Sequence, residues 1–584
     1  MDRITHSMMQ EFKESMEISN ISDSDLFEIF SSYSIVSKTL DDTFDISDIV
    51  GANNGNEVIP SGIISGGGND TGIDSIAITL NGTLITDLTE VEDIFNENNT
   101  IFEAVFVFIQ SKTSSKFNGS EIRNFGDGIV DFLSLKPRLK QNNFIKNRWE
   151  IVNKIIDNAS NIQNIICKVY YVTTGKWVND TNLVTKIESA KADIDELNIF
   201  GSLEFIPVDA DLIQNMYKES KVKLTQTVDF PKKVLLPSVN KVNEAYLGYI
   251  KIGEYINLIQ DEAGNLRKSI FYDNIRDYQG KNPVNDSIED TLSSDKSDRL
   301  VVLNNGVTII ADDIKIIRES ITLVNYQIVN GCQTSYMIHF NKDKINPETY
   351  LPIKIIASKN DEIVTDIIIA NNSQTEVKKE ELIALTSFQK KLESYYASFT
   401  KKQQKLYYER RSKQYDRRVD IEKVRIVSIS TQLRSFCGMF LDVPHMSSRY
   451  YGRLFKDYSE RAFNDENNML IYYTSAYALY KLEFYFRNKN LPKEFRKFKY
   501  HILMMLRYHV GGEKIPRFNS KSIETYCDKI NQVMFNSQKS LEEFKYLISI
   551  IKTAVDDLMS NEITSKKSLN DILLAELKKK TSKI

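Results

Sequence analysis

The spacing of apolar and polar positions changes character twice along the chain. Up to about Tyr217 it is mixed. A repeat at helical spacing predicts a helix over Asp25–Val36, a glycine-rich loop follows at Gly62–Gly72, and short apolar runs predict strands at Ile76–Leu80 and Val105–Lys112. A helix over Arg148–Ala159 and strands at Ile166–Thr173 and Ser202–Val208 complete what reads as one α/β domain, residues 1–218. Glu219–Pro237 carries Pro231 and Pro237 without sustained periodicity and reads as a linker. Strand patterns return at Ala245–Ile252, Leu300–Ile310, Ile321–Val324, Tyr326–Val329 and Ile353–Ala357, which suggests a second α/β domain over residues 238–375. From about Glu376 onward Lys, Glu, Leu, Tyr and Phe recur at helical spacing with few glycines, so residues 376–584 are expected to be mostly α-helical.

Composition narrows the function classes. A chain of 584 residues exceeds one hydrophobic core, and 41% apolar with 26% charged residues is ordinary for a globular protein. No apolar run is long enough to span a membrane, and MDRITHSMMQEFKES has no secretory pattern, so a cytoplasmic protein without a membrane partner is expected. Cys167, Cys332, Cys437 and Cys527 are far apart and form no CxxC pair, while the five histidines include no HExxH pattern. Metal chemistry therefore has to rest on oxygen donors, which favours a hard ion, Mg2+ or Mn2+.

The net charge of −4 does not mark a nucleic-acid binder, because phosphate affinity rises with the number of cations that displace counterions. A local patch is the alternative. Between Lys401 and Arg425 ten basic residues face four acidic ones, interleaved with Tyr407, Tyr408 and Tyr415. Arg410, Arg411, Arg417 and Arg418 are the candidate phosphate contacts, and Tyr407 and Tyr408 the candidate stacking platforms. Two structural readings stand beside this one, a solvated helical face and arginines paired with acids inside a domain interface.

Candidate chemistry lies in GGGNDTGIDSIAITLNG and, about thirty residues on, AVFVFIQSKTS. Asp74 enters the first strand from the glycine-rich loop. Gln110 and Lys112, two apart on the second strand, share a face. Phosphodiester hydrolysis needs a hard cation and a positive group near the transition state, and Asp74 with the Gln110 amide oxygen can hold the one while Lys112 supplies the other. Gln110 in place of an acid lowers the negative charge at the metal. Taken alone, the spacing also fits a loop aspartate beside a polar strand end.

GGGNDTGIDSIAI followed by FIQSKTS resembles the Mrr-like branch of the PD-(D/E)XK nucleases. That resemblance implies a restriction-endonuclease-like domain whose catalytic residues are Asp74, Gln110 and Lys112, with Asp74, Gln110 and Glu28 at the metal. Glu28 enters through the resemblance alone, since on a helical wheel it falls opposite the stripe of Leu26, Ile29, Phe30 and Tyr33. FYDNIRDYQGKNPVN, LVVLNNGVTIIAD, YQIVNGCQTS, IIIANNSQTEV and YYERRSKQY, taken with the N-terminal segment, resemble the AIPR (abortive infection phage resistance) family over most of Met1–Tyr415. The resemblance implies a phage-defence nuclease that meets nucleic acid, DNA before RNA, with a phage-derived trigger and homodimerisation as an option. The alternative is a non-catalytic nucleic-acid-binding or nucleotide-sensing protein on the same scaffold. Asn330, Gln333 and Thr334, in the turn after Tyr326–Val329, present amide and hydroxyl groups that suit either a bound nucleotide or a buried polar network. VTTGKWVND lacks the upstream glycine of a phosphate-binding loop and reads as a strand-to-loop turn.

Overall fold

The computed structural model describes residues 1–19, 21–39, 52–54, 57–59, 71–97, 101–219, 224–260, 264, 266–267, 270–271, 297–372, 387–410, 414–415, 418, 421–449, 451–555 and 567–581. Two compact units are present, Met1–Ser220 together with Ser387–Ile584, and Lys221–Thr386. The expected N-terminal and helical segments thus lie in one unit.

The first unit opens with helices α1 (Arg3–Ser15) and α2 (Asp23–Thr39) and a small hairpin of β1 (Ala52–Asn54) and β2 (Glu57–Ile59). There follow β3 (Ser75–Leu80), β4 (Thr83–Leu84), α3 (Leu88–Glu97), β5 (Ile101–Lys112), α4 (Gly119–Leu133), α5 (Asn143–Asp157), β6 (Ile162–Thr173), α6 (Thr181–Asp195), β7 (Ser202–Val208) and α7 (Ala210–Glu219). Strands β3 to β7 form one sheet in the order β4-β3-β5-β6-β7. β3 runs antiparallel to β5, whereas β5, β6 and β7 are parallel.

Because the sheet is buried on both faces, its strands read as continuous apolar runs rather than alternating ones. One face, with Ile76, Ile78, Phe106, Phe108 and Val169, packs on Ile122, Phe125 and Ile129 of α4, Ile151 of α5 and Ile187 of α6. The other, with Ala77, Val105, Val107, Ile109 and Val172, packs on Phe12 of α1, Phe27 and Phe30 of α2 and Ile213 of α7. Helix α4 was not anticipated from GSEIRNFGDGIVDFL, whose interior glycines lower helix propensity by about 1 kcal/mol each relative to alanine. Tertiary packing requires both. A Cβ on Gly126 would stand 2.6 Å from Ala190 Cβ of α6, and one on Gly128 would stand 2.0 Å from the Thr71 carbonyl oxygen.

The second unit contains β8 (Thr225–Asp229), β9 (Lys232–Leu235), β10 (Glu244–Lys251), α8 (Ile252–Ile259), a one-turn helix α9 (Leu300–Leu303), β11 (Val307–Ile317), β12 (Ser320–Asn330), α10 (Cys332–Phe340), β13 (Tyr350–Ala357) and α11 (Asp361–Asn372). Its six-stranded sheet has the order β8-β12-β11-β13-β10-β9, antiparallel except for β11 beside β13. Helices α8 and α10 join the core on one face, and Val364 and Ile368 of α11 cover Ile310 and Val329 on the other.

Three expectations change here. The segment read as a linker contains β8 and β9, two strands of this sheet. The run Leu300–Ile310 is a helical turn followed by a strand, separated by Gly306 at φ 82°. The two strands expected on either side of Asn325 are one, because Asn325 takes a left-handed φ of 52° and anchors itself by donating from Nδ2 to Asp312 Oδ2 at 2.9 Å.

Returning to the first unit, the chain adds α12 (Ser387–Ala397), β14 (Tyr407–Glu409), β15 (Ile426–Ser428), α13 (Ile429–Phe440), α14 (Pro444–Ser447), α15 (Tyr451–Ala462), α16 (Leu470–Arg487), α17 (Lys499–Leu506), α18 (Lys521–Phe535), α19 (Ser537–Ala554) and α20 (Ser568–Thr581). This region is helical as expected, with one short parallel pair of β14 and β15. Helix α16 is buried on nearly every side against α13, α17 and α18, which is why its sequence shows no single apolar stripe. Buried Asp93 of α3 ties the helical region to the N-terminal part by accepting two hydrogen bonds from Arg449, both 3.0 Å, and one from Arg453 at 2.9 Å. All four cysteines are buried and none forms a disulfide. Among the described residues no helix is long and apolar enough to cross a membrane.

Candidate functional site

The groups picked out in the N-terminal segment meet at the carboxyl end of β5. Asp74 lies just before β3, where its N–H donates to the Ile109 carbonyl at 3.1 Å. Its Oδ2 accepts the Ser111 N–H at 2.7 Å and lies 3.8 Å from Lys112 Nζ. Asp74 is 7% exposed and Gln110 6%, while the Lys112 side chain keeps 35% of its surface. The cation thus reaches solvent as the two oxygen donors sit inside.

Gln110 Nε2 donates to the Gly72 carbonyl at 2.7 Å. That bond settles the amide orientation, since a reversed amide would set two carbonyl oxygens against each other. Gln110 Oε1 is left buried without a hydrogen-bond partner among the described residues. A buried acceptor in this condition carries a desolvation penalty of about 1–3 kcal/mol, which a cation or a donor from a ligand removes. Thr71 and Gly72 both take left-handed backbone, φ 57° and 77°, so the end of the glycine-rich loop turns sharply to aim the Gly72 carbonyl at this amide. The rest of that loop, Gly62 to Asp70, lies outside the described residues.

Two residues not singled out in the sequence complete the cluster. Tyr171 of β6 is in register with Gln110, and its hydroxyl donates to Glu121 Oε2 at 2.8 Å. Burial pushes the Tyr171 phenol well up from its ordinary value, the Glu121 bond and charge push it further, and the charge of Asp74 adds to the same effect. Glu121 is brought in by α4, in the first turn after the N-cap Asn118. Asn118 followed three residues later by a glutamate is a helix-start signature, and it was the available signal for both α4 and Glu121.

Glu28 is half-buried. It belongs to α2, on the face carrying Ala77, Val107 and Ile109, whereas Gln110, Lys112 and Tyr171 project by strand alternation to the face beneath α4. The helical wheel also misjudged α2. Ser31, Ser32 and Ser34 are buried, Ser32 Oγ lies 2.7 Å from Ser75 Oγ, and Glu28 stands one turn from Ser32 on a helix with little exposed face. Among the described residues no three His, Cys, Asp or Glu side chains come together to hold a metal, so a cation here depends on the amide oxygen of Gln110.

The basic cluster divides. Tyr408 is buried in β14 and donates its hydroxyl to Gln389 Oε1, while buried Arg410 donates to Glu393 Oε2 at 3.2 Å. Arg425 pairs with Glu17 at 2.8 Å, donates to the carbonyls of Lys402 and Lys405, both 3.0 Å, and lies over the Tyr480 ring. Tyr408 and Arg410 are therefore corrected from nucleic-acid contacts to structural residues, since burial and internal partners leave them no access to a polyanion. Tyr407 is half-buried against Tyr415, and Arg418 is exposed. Arg411 and Arg417 lie outside the described residues.

In the second unit the turn at Asn330, Gln333 and Thr334 caps α10 through Gly331, at φ 100°. Thr334 Oγ1 accepts from Asn304 Nδ2 at 3.0 Å, Ser335 Oγ donates to the Gly331 carbonyl at 2.7 Å, and Tyr255 Oη lies 2.6 Å from Ser335 Oγ. These contacts tie Thr334 and its neighbour Ser335 into a polar network at the start of α10.

A family model described as AIPR protein matches residues 271–563. The chain belongs to the AIPR family. Membership suggests a role in phage defence. The match corrects the expected extent, because it begins within the second unit, runs through most of the helical region, and leaves the Asp74 site outside it. No curated protein and no solved structure matches the chain.

Proposed function

We propose that this AIPR chain acts in phage defence as a metal-dependent nuclease that hydrolyses phosphodiester bonds, in DNA before RNA, with Asp74, Gln110 and Lys112 as its catalytic residues. The observation that carries this reading is Gln110 Oε1, a buried acceptor with no hydrogen-bond partner among the described residues, set beside a carboxylate and a lysine. The antiparallel β3–β5 pair, the parallel β5–β6 pair with α4 crossing between them, and α2 on the opposite face support a restriction-endonuclease-like core. The cluster also lies outside the carboxyl ends of parallel strands, where α/β sheets bind ligands.

Each residue has a separate task. Asp74 Oδ2 accepts from the Ser111 amide, and the Asp74 carboxylate together with Gln110 Oε1 offers oxygen donors suited to a hard cation. Such an ion, when bound, offsets phosphate charge and lowers the pKa of water. Lys112 contributes a fixed positive charge beside the same carboxylate, available to the charge that develops on the transferred phosphoryl group. The rival is a non-catalytic scaffold, favoured by one observation: Gln110 is neutral, and its amide nitrogen is committed to Gly72.

Supercoiled plasmid and single-stranded RNA incubated with wild type, Asp74→Ala and Lys112→Ala in Mg2+ and Mn2+ separate the two. Nicking by wild type and a loss of at least about a hundredfold in each folded variant is the expected result, corresponding to about 2.7 kcal/mol of transition-state stabilisation. A folded Lys112→Ala protein as active as wild type would falsify the assignment.

A further inference from the structure

We infer that Glu121 supplies the carboxylate that Gln110 lacks, so that a divalent cation at this site is held by Asp74, the Gln110 amide oxygen and Glu121, with Tyr171 as the residue that positions Glu121. This rests on the cation-binding reading of the Asp74 cluster and adds a ligand to it from a different helix.

Strand β5 lies between β3 and β6, so Gln110 stands with Asp74 on one side and Tyr171 on the other. Tyr171 Oη in turn reaches Glu121 Oε2 at 2.8 Å. Strand order and register set Asp74, Gln110 and Tyr171 side by side across the end of the sheet, with Glu121 at the Tyr171 hydroxyl, and Gln110 Oε1 is buried without a hydrogen-bond partner among the described residues. A neutral amide beside a lysine and a single carboxylate gives no net negative charge. One further carboxylate brings the set to two, within the one or two that Mg2+ sites draw from protein.

The simplest structural role for Glu121 is as a helix-start residue. It occupies the third helical position after Asn118, from which a glutamate can reach back to the N-cap amide. It does not do so here. Asn118 Oδ1 accepts from Ser120 N at 2.9 Å and Glu121 N at 3.3 Å, while the Glu121 carboxylate takes its one described hydrogen bond from Tyr171. A short N-cap loop and a fully buried tyrosine thus fix this acid toward the sheet rather than toward its own helix.

The test measures Mn2+ binding to the full chain without nucleic acid, by the electron paramagnetic resonance of free Mn2+. Glu121→Gln keeps an oxygen that accepts from Tyr171 and removes only the charge. Tyr171→Phe keeps the charge and removes its positioning. Glu188→Gln, an exposed acid on α6, is the control. Loss of a partner that orients a ligand weakens metal affinity by about tenfold or more, so Tyr171→Phe should fall by about tenfold and Glu121→Gln by at least as much, with Glu188→Gln at the wild-type value. If Glu121→Gln binds Mn2+ as wild type does while Asp74→Ala does not, Glu121 is not a ligand and the nuclease reading stands without it. If wild type binds no Mn2+, both readings fall. Should Glu121→Gln fail to fold, Tyr171→Phe decides alone, and unchanged affinity there overturns the inference.

Discussion

The Asp74 cluster and the Asn330 turn look alike as sequence, each a group of polar residues where an apolar strand ends. They differ in how their hydrogen-bonding capacity is used. In the second unit the Thr334 hydroxyl is met by Asn304, and the Ser335 hydroxyl by Tyr255 and the Gly331 carbonyl, so these two hydroxyls are consumed in fixing the start of α10. In the first unit Gln110 Oε1 has no hydrogen-bond partner among the described residues, and Lys112 keeps a third of its side chain in solvent. Polarity spent internally stabilises a fold, whereas polarity left over at a strand end is what a ligand can use.

Perturbing the two regions in parallel sharpens this contrast. The largest stability change is expected for Gly128→Ala, where the new Cβ would meet the Thr71 carbonyl at 2.0 Å and force apart α4 and the loop that aims Gly72 at Gln110. Overpacking of this kind costs about 1–3 kcal/mol or more, and thermal denaturation together with Mn2+ binding should show both properties falling. A variant that loses neither would separate the loop from the site. Gly331→Ala should cost about 1–2 kcal/mol from its left-handed φ of 100°, and more from a Cβ 2.7 Å from Val307 Cγ2, yet leave Mn2+ binding unchanged. Smaller again, Thr334→Val leaves Asn304 Nδ2 without its acceptor and should lower stability by about 1–2 kcal/mol, with no nucleoside triphosphate binding seen by calorimetry in either protein. Triphosphate binding by wild type that Thr334→Val abolishes would overturn the structural reading of this turn.

The smallest expected effect belongs to the basic cluster. Arg418 is the exposed arginine among the described candidates there, so Arg418→Ala should flatten the plot of log affinity against log salt by no more than about one unit. Arg410→Ala should instead destabilise the helical region, because Glu393 loses its buried partner. A large change of salt slope in a folded Arg410→Ala protein would return that residue to the nucleic-acid surface.

Local pattern alone determined much of the sheet of the first unit. The strand at Ser202–Val208 has the bounds its apolar run predicted, and Gln110 and Lys112 share a face because alternation with period two follows from backbone geometry. The helical character of the last third was equally legible from spacing. What tertiary structure decided is whatever depends on a distant partner. Gly126 and Gly128 argue against a helix until Ala190 and Thr71 are seen to approach too closely for any Cβ. Arg410 and Tyr408 read as surface groups until Glu393 and Gln389 are found beside them. Glu121 reads as an ordinary first-turn acid until the β5–β6 register brings Tyr171 to it. Propensity and periodicity are properties of a few neighbouring residues, whereas the fate of a charge is set by what the fold places within about 4 Å of it.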